Sequence, residues 1–550
     1  MKKYFPFFFI LLSADHIQAQ TTGKITGLKD SWGETITYMG EIKNKQPNGI
    51  GVAKYNNGHA LRYAGSFLNG LYNGKGTMVF SDGSFLTGEW KNGKLNGKGA
   101  NLTKNGNFYS GNFSDGKKEG KGYLLYKDNG ILMGEWKDDK FTGRCVFIPA
   151  AAATISDNIY IDDKKNGPGY QYEIEGKKLF QGNWKDGNWE AATTGNYSSF
   201  LNVTDFYGEK TATQVLMGKL NKNRDQITDT AFYYDLKNQK RYFGRFLDGK
   251  FQAGVIIRDD SSRFIGAIND KGVYGPGSLY KTGAYYDEGN YANDYMNGPN
   301  CLSIDLKSKT IYFGETSNNG FFTGKAWFVN KRDELYNGEY VDGKFTGKGY
   351  KINEAGYCVR GVFDDGFPVT VTSVTDDKGQ PFVLQPKTLA DAINLVAKDA
   401  AATDLDLVMG IAQDEDFGLT IKNKSLISFP AALKQDYIIE DDDYNLNYVA
   451  TYLQTKDLTK AKAKYNELCN QLAALKITVD KTEGPFLLEK KLSETSEAPA
   501  ADLCTFLFPS KKGIITGYAA SVVLSKDEDA NYTVKIILGH SDSPLLTGEE

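Results

Sequence analysis

Histidine and cysteine are scarce in this chain, which has three histidines and five cysteines among 550 residues. These side chains carry much of the nucleophilic, acid–base and zinc chemistry of enzymes. His16, His59 and His540 stand apart from any Ser or Cys motif, and we expect His59 and His540 in exposed loops. A Gly-Lys-Ser/Thr phosphate loop and a Gly-x-Ser-x-Gly elbow are also missing. We therefore predict a non-enzymatic protein with no catalytic, cofactor-binding or metal-binding residues.

The cysteines and the acidic runs give no metal signature. Cys145, Cys301, Cys358, Cys469 and Cys504 are widely spaced, so buried free thiols are the prediction. Acidic runs at residues 414–416 and 440–443 lack the ligand spacing and central glycine of a calcium loop. We interpret them as solvated loops or helix starts, with calcium binding as the alternative.

Excess charge and long apolar segments are missing as well. The formal net charge is −3, which argues against a nucleic-acid partner. Lys2 and Lys3 precede an apolar stretch from Tyr4 to Leu12, and Ala19 provides a small residue before a cleavage site. This layout is typical of a signal peptide over residues 1–19, and no later segment is apolar for the ~18 residues of a membrane span. The prediction is an exported protein, periplasmic or secreted to the cell surface.

Glycine and aromatic residues are abundant instead, at 60 glycines and 13% aromatics. They recur with a period of about 23 residues, as in Leu86-Thr87-Gly88-Glu89-Trp90 and the matching stretch around Gly111. The repeated glycines are residues 40, 65, 88, 111, 134, 182, 244, 266, 289, 314, 338 and 361. A worn copy around Asn166-Gly167-Pro168-Gly169 fills the gap before Gly182, whereas Gly208 or Gly218 marks a poorer copy. Such a period is typical of a repeat architecture.

Each repeat has the pattern of a β-hairpin. The aromatic residues and the glycine alternate with polar residues, so they share one face of a strand. Asn92-Gly93 and Asp115-Gly116 suit a tight turn with positive φ at both residues. Because one hairpin buries too little surface to be stable, neighbouring hairpins must stack into an array.

The pattern, an aromatic-x-Gly-x-aromatic followed by Gly-Lys and Gly-x-Gly, resembles the MORN repeat family over residues 36–367. The repeat is degenerate at about 188–240, and residues 20–35 form a lead-in. Choline-binding repeats also mix Gly, Trp and Tyr, but their paired aromatics after a Trp do not recur here. The resemblance implies protein association or a place near membranes. A dozen stacked hairpins in one ribbon would extend about 110 Å.

Glycine becomes rare after residue 368, and the pattern changes. Residues 369–374 are predicted to be a strand leading out of the array. Thr388 to Asp391 resembles a helix capping box, and Asp457 is predicted to cap a second amphipathic helix. Strands are predicted around residues 485–492, 503–508, 514–524 and 532–538. The predicted fold class is therefore mainly β, a β-hairpin solenoid followed by a smaller α+β domain at residues 368–550.

These features favour an exported scaffold or adaptor that binds a partner protein through its repeats. An envelope enzyme with its active site in residues 369–550 is one alternative, and a glycan-binding or lipid-contacting protein is another. The repeat tryptophans Trp90, Trp136 and Trp184 are interpreted as core residues. Possible partner-contact aromatics are Tyr285, Tyr286, Phe321 and Phe322.

Overall fold

The computed structural model describes most of the chain. The described residues are 21–56, 60–150, 154–173, 178–190, 206–220, 226–269, 272–381, 386–403, 409–416, 420–425, 429–433, 437–440, 446–479, 482–485, 487–491, 502–507, 518–526 and 529–540. The fold is mainly β, as predicted, with long antiparallel hairpin sheets and a smaller α+β region at the C-terminus.

The first sheet contains fifteen antiparallel strands in sequence order. They are β1 (Thr21–Lys29), β2 (Thr35–Lys43), β3 (Gln46–Tyr55), β4 (Ala60–Leu68), β5 (Leu71–Phe80), β6 (Phe85–Lys91), β7 (Lys94–Leu102), β8 (Phe108–Ser114), β9 (Lys117–Leu125), β10 (Ile131–Lys137), β11 (Lys140–Ile148), β12 (Thr154–Ile161), β13 (Lys164–Glu173), β14 (Lys178–Lys185) and β15 (Asn188–Glu190). The predicted lead-in thus contains the first strand of the sheet.

The second sheet contains sixteen strands, again in sequence order except that β24 pairs only with β23. They are β16 (Phe206–Lys210), β17 (Gln214–Leu220), β18 (Ile227–Asp235), β19 (Lys240–Leu247), β20 (Lys250–Ile257), β21 (Arg263–Asn269), β22 (Gly272–Lys281), β23 (Tyr285–Ala292), β24 (Tyr295–Met296), β25 (Gly298–Asp305), β26 (Thr310–Thr316), β27 (Phe322–Val329), β28 (Leu335–Val341), β29 (Lys344–Ile352), β30 (Cys358–Asp364) and β31 (Phe367–Thr375). The strand predicted to lead out of the array lies within β31, the last strand of this sheet.

The predicted tight turns are confirmed. Asn92 and Gly93 have φ values of 50° and 84°, and Asp115 and Gly116 have 54° and 86°. Two positive φ values in succession define the type I′ turn, whose twist matches that of the flanking strands. The worn copy is also confirmed, because Gly169 in β13 lies opposite Gly182 in β14. In the degenerate stretch Gly218 holds the glycine position, opposite Ala231.

A stripe of glycines crosses the first sheet perpendicular to its strands. Each of the ten strands β1 to β10 contributes one glycine, and each glycine lies opposite the next. The members of this glycine stripe are residues 23, 40, 51, 65, 76, 88, 99, 111, 122 and 134. Similar pairs occur in the second sheet, such as Gly338 opposite Gly349.

The strands fold sharply at the glycine stripe. In a straight strand, residues four apart lie about 13 Å from each other. Yet the ring centroids of Tyr63 and Phe67 are only 5.1 Å apart, and those of Tyr109 and Phe113 only 5.3 Å. The register shifts directly after Gly65 and Gly111, which is the mark of a β-bulge. The bend brings the two aromatics of one repeat together above the glycine.

We call the face of each sheet that carries the paired aromatics its outer face, and the opposite face its inner face. The inner faces of the two sheets pack against each other. Phe108 of the first sheet stacks on Tyr280 of the second with ring centroids 4.6 Å apart, and Phe85 lies 5.1 Å from Tyr286. All four belong to one buried cluster drawn from both sheets. The array is therefore a two-layered sandwich, and the expectation of a single continuous ribbon is wrong.

The strand order of the second sheet runs opposite to that of the first sheet, so the first repeats pack against the last ones. The buried Arg62 guanidinium donates to Asp333 at 2.8 Å and to the Asn330 carbonyl at 2.6 Å. Nearer the chain start, the backbone N–H of Lys24 donates to the carbonyl of Asp377 at 2.7 Å. Towards the middle of the chain, Arg241 donates to Ala150 O at 2.8 Å. These contacts fix the alignment of the sheets.

The C-terminal region is a separate α+β unit with its own core. Its eight-stranded sheet has the order β32-β33-β34-β35-β41-β40-β39-β38. The elements are α1 (Leu389–Thr403), β32 (Met409–Asp416), β33 (Thr420–Ser425), β34 (Tyr437–Glu440), β35 (Leu446–Thr455), α2 (Leu458–Ala473), β36 (Lys476–Val479), β37 (Thr482–Pro485), β38 (Leu487–Lys491), β39 (Asp502–Leu507), β40 (Tyr518–Lys526) and β41 (Tyr532–His540). β36 and β37 form a separate hairpin.

Both predicted helix caps are confirmed. Thr388 and Asp391 each accept a bond from the other's backbone N–H at 3.1 Å, which is the reciprocal pattern of a capping box. The Asp457 side chain accepts from the N–H groups of Thr459 and Lys460. The helices pack on one face of the sheet, where their apolar side chains meet those of β35, β40 and β41.

We predict that Gly76→Ala destabilises the repeats strongly. A Cβ at Gly76 would lie 2.1 Å from the Tyr63 hydroxyl and 2.4 Å from its Cζ, so the ring that lies on the backbone must move. Overpacking and a displaced aromatic cost about 2–4 kcal/mol. The measurement is the urea midpoint of unfolding, followed by tryptophan fluorescence.

Gly70→Asp is the matched control for this variant. Gly70 has φ +83° and no atom within 4 Å of a built Cβ. Asp139 and Asp163 occupy the corresponding second turn position with φ values of 69° and 66°. The control should therefore cost less than about 1 kcal/mol. Equal losses for the two variants would contradict the close-approach argument.

Asp333→Asn is predicted to loosen the sandwich. The substitution keeps the side-chain shape but leaves the Arg62 guanidinium, which is 4% exposed, without its carboxylate. Removing one partner of such a buried pair costs about 3 kcal/mol. Lys344→Ala, which breaks the exposed pair with Asp365, should cost less than about 1 kcal/mol. The prediction fails if the two variants unfold at the same urea concentration.

Candidate functional site

The four aromatics predicted to contact a partner are placed differently by the structure. Phe321 is 54% exposed and Tyr285 is half-buried, so contact with a partner remains a prediction for these two. Tyr286 is fully buried because its ring packs on Phe85 between the sheets. Phe322 is 7% exposed because its ring stacks on Tyr312. The expectation of surface contact is wrong for Tyr286 and Phe322.

Two of the three repeat tryptophans are core residues, as predicted. Trp90 and Trp136 are each 3% exposed and belong to the outer-face cluster of the first sheet. The Trp90 indole N–H donates to the Gly76 carbonyl at 2.8 Å. Trp184 is partly exposed, and the Lys165 ammonium lies 4.2 Å from its ring centroid. The outer face is thus filled by the repeat's own side chains.

A cleft of about 950 Å³ opens between the two inner faces, beside the buried cluster that joins the sheets. Its floor contains Tyr123, Met133 and Ile265, and the glycine stripes of both sheets border it. A smaller pocket continues it towards Lys75 and shares Glu288 and Asn300 with it. We call the two together the repeat cleft. It is elongated, apolar at its floor and polar along its walls.

A charged row forms the wall of the first sheet. It lies on the inner face, one residue from the glycine stripe on strands β5 to β10 and next to Cys145 on β11, and we call it the charged row. Its members are Lys75, Glu89, Lys98, Asn112, Lys121, Glu135 and Arg144. Basic residues thus occupy every second strand, at intervals of about 9.6 Å.

Only the ends of the charged row form ion pairs within the described residues. Lys75 lies 3.4 Å from Glu89, and Arg144 binds the buried Asp157 with distances of 2.6 to 3.0 Å. The carboxylate of Asp157 is 1% exposed, so this bidentate pair holds the guanidinium rigidly. Lys98 and Lys121 are exposed and form no ion pair in the described part of the chain.

The wall of the second sheet is less charged. Asn290 and Asn300 are exposed on this side of the repeat cleft. The Tyr286 hydroxyl donates to Glu288 at 2.7 Å, which fixes that carboxylate. Amide side chains both donate and accept hydrogen bonds, so this wall suits a ligand with both kinds of polar group.

Behind this wall, Asp287 replaces the first aromatic of its repeat, which is Phe264 in the repeat around Gly266. Its Oδ1 is buried without a hydrogen bond. Burial raises the pKa of the Asp287 carboxyl to about 6, partly offset by a bond from Ser303. A charged carboxylate is costly in such a place.

The remaining predicted candidates for chemistry lie outside the described side chains. These are His16, His59 and His540, the acidic runs at 414–416 and 440–443, and the Cys504 thiol. The other four cysteines are buried, as predicted. Among the described residues no group of three or more His, Cys, Asp or Glu is placed to hold a metal ion. No described helix is long and apolar enough to cross a membrane.

The sequence prediction missed the repeat cleft and its charged row. The signal was present, because the residue after the repeat glycine is Glu89 and Glu135 in the two neighbouring repeats, but Asn112 after Gly111. What could not be seen was that this position faces a second sheet. The contact depends on residues about 170 positions further along the chain.

These features define a class of protein, an antiparallel β-hairpin repeat protein in which the strands of many repeats bend at a glycine and bring two aromatic rings together. The family model of the MORN repeat matches residues 38–60, 63–85, 87–100, 109–131, 133–148 and 336–352. The chain thus contains MORN repeats, with five matched segments in the first sheet and one in the second. A comparison with curated proteins found no similar chain.

The burial of Asp287 predicts a pH dependence of stability. Because its pKa is near 6 in the folded chain and near 3.8 when unfolded, the unfolded chain releases the proton first as pH rises. The free energy of unfolding should fall between about pH 4 and 6, by about 3 kcal/mol for this group. Asp287→Asn should remove this decline and raise stability at pH 7.5.

Asp235→Asn is the control for this prediction. Bonds from Asn238 lower the pKa of the exposed Asp235 carboxyl, so its removal should change the slope of stability against pH only below about pH 4, where this carboxyl titrates. The measurement is the urea midpoint across pH 3.5 to 7.5. An unchanged profile in Asp287→Asn would contradict the assigned burial of this carboxylate.

Proposed function

We propose that the protein is an exported, non-enzymatic scaffold that binds a partner protein through its repeat sandwich. The repeat cleft is the observation that supports it most, because it is elongated, open to solvent and lined by both polar and apolar groups. Its walls come from many repeats rather than from one catalytic cluster. MORN repeats are in general modules for protein interaction or membrane binding, which agrees with this assignment.

Export is proposed from the start of the chain. The positive residues Lys2 and Lys3, the apolar stretch and the small Ala19 are the layout of a signal peptide. The first strand begins at Thr21, two residues after the expected cleavage site. Cleavage after Ala19 would therefore leave all of β1 in the mature chain. We place the mature protein in the periplasm or at the cell surface.

The C-terminal unit is proposed to provide a second contact. Its strand β32 follows the repeat sandwich after α1, so it is attached at the end where the first and last repeats meet. A partner bound along the cleft would thus pass close to the start of this unit. An enzyme in residues 369–550 is the competing hypothesis, and a glycan ligand is another.

Site-specific photocrosslinking in intact cells tests the scaffold proposal. A photoreactive phenylalanine analogue is placed at Asn290 in the repeat cleft, at the exposed Phe321, and at the exposed Leu433 of the C-terminal unit. The expected result is one protein attached from Asn290, with or without attachment from Phe321. Mass spectrometry of the same sample should give Gln20 as the first residue.

The control position is Phe264, which is fully buried on the outer face of the second sheet and should give no attachment. Recovery of glycan instead of protein from Asn290 would overturn the scaffold in favour of glycan binding. Attachment of protein only from Leu433 would move the activity to the C-terminal unit. An uncleaved N-terminus would contradict export.

A further inference from the structure

We infer that the repeat cleft binds an extended acidic segment of a protein, with carboxylates contacting Lys98 and Lys121. This inference rests on the proposed scaffold function, and names the chemistry of the partner. In the charged row, a departure from the pattern of the neighbouring repeats leaves Lys98 and Lys121 without an acidic residue between them.

The alternation of charge in the charged row breaks at Asn112. In the β5–β6 pair, Lys75 lies opposite Glu89, and in the β9–β10 pair Lys121 lies opposite Glu135. In the β7–β8 pair, Lys98 lies opposite Asn112, which is neutral. From Lys98 to Lys121 the charged row thus has two ammonium groups and no carboxylate.

A hydrogen bond also fixes the side chain of Asn112 between the two lysines, where it adds no negative charge. Its amide nitrogen donates to the Lys121 carbonyl at 3.4 Å, across the bulge. In other repeats a glutamate at this position accepts a backbone N–H, as Glu41 does from Ile50 and Glu339 from Lys348. Those glutamates place a negative charge beside the neighbouring strand. Asn112 makes a backbone contact without adding that charge.

The stretch without a carboxylate lies in the repeat cleft. Lys98, Asn112 and Lys121 all line the repeat cleft, near the apolar floor of Tyr123 and Met133. Lys98 and Lys121 form no ion pair within the described residues, so both ammonium groups are available to a ligand. A ligand carboxylate here would gain charge-assisted hydrogen bonds beside an apolar floor.

The spacing indicates an extended chain rather than a compact anion. The two lysines lie two strands apart, about 9.6 Å, and Lys75 continues the series at a similar interval. A peptide in the extended polyproline II conformation has three residues per turn and rises about 3.1 Å per residue, so residues three apart share one face and lie about 9.3 Å apart. A segment with an acidic residue at every third position would place its carboxylates at the lysines. The elongated shape of the cleft agrees with such an occupant.

The opposite wall is suited to the backbone of that segment. Asn290 and Asn300 face the same cleft and are exposed. Their amides can donate to peptide carbonyls and accept from peptide N–H groups. The floor residues Met133 and Ile265 can cover apolar side chains between the acidic ones. One wall thus recognises charge, and the other recognises backbone.

The test uses two synthetic peptides of twelve residues and the full mature protein. One peptide repeats Glu-Ala-Pro four times, and the other repeats Gln-Ala-Pro four times. Binding is measured by fluorescence anisotropy at low and at physiological salt. We expect the glutamate peptide to bind at least tenfold more tightly, with the difference shrinking as salt increases, because charge pairing is screened.

Asn112→Glu is the decisive variant, because it would continue the alternation that Glu89 and Glu135 form in the neighbouring repeats. It should weaken binding of the glutamate peptide at least tenfold while the unfolding midpoint stays the same or rises. Lys98→Gln with Lys121→Gln should have the same effect on binding. Lys94→Gln with Lys117→Gln, in the same strands but paired at the turns with Asp115 and Asp138, is the matched control and should not.

Three results would overturn the inference. These are equal binding of the two peptides, no binding of either, and binding of the glutamate peptide that Asn112→Glu leaves unchanged. Phosphatidylglycerol vesicles are a parallel probe, and binding of vesicles without peptide would assign the lysines to lipid instead. A protein photocrosslinked from Asn290 as strongly in Asn112→Glu would keep the scaffold function and remove only the acidic-segment inference.

Discussion

The close contact between an aromatic ring and the backbone of the next strand governs the repeat sandwich. Only glycine allows it, since a Cβ at Gly76 would lie 2.1 Å from the Tyr63 hydroxyl. Strands such as β4 and β8 bend at the same level, where the glycines of successive strands align in a stripe. The bend covers the outer face of each sheet with its own aromatics, so the inner faces pack against each other. Sheet pairing, the cleft and the charged row all follow from that division of faces.

Local features were predictable from the sequence because their causes are local. The turn at Asn92-Gly93 and the cap at Asp457 depend on residues within four positions of each other. The inner face was harder, because a fully buried sheet does not show simple alternation. Phe85-Leu86 and Phe108-Tyr109 place one apolar side chain on each face, which indicates burial on both sides. Tyr286 occupies the inner-face position of Phe85, although it was interpreted as part of a surface cluster.

Why the array divides into two sheets has no local signal. Residues 191–205 separate the sheets, and the contacts that align them, such as Tyr350 with Glu41 at 3.0 Å, join distant repeats. The candidate site depends on the same long-range alignment. Asn112 differs visibly from the glutamates of neighbouring repeats, but its importance depends on the opposing wall. Sequence can therefore show which repeat departs from the pattern, whereas the structure shows what that departure faces.

The opposite directions of the two sheets impose an order on folding. The contact between Arg241 and Ala150 spans 91 residues, that between Arg263 and Asn129 spans 134, and that between Arg62 and Asp333 spans 271. Closing a shorter loop costs less entropy, so the sheets should join first near the middle of the chain. Contacts between the sheets then form progressively towards the two ends of the repeat array. The repeats synthesised first thus complete their inner-face packing last, and their apolar inner faces stay exposed until the chain has passed residue 333.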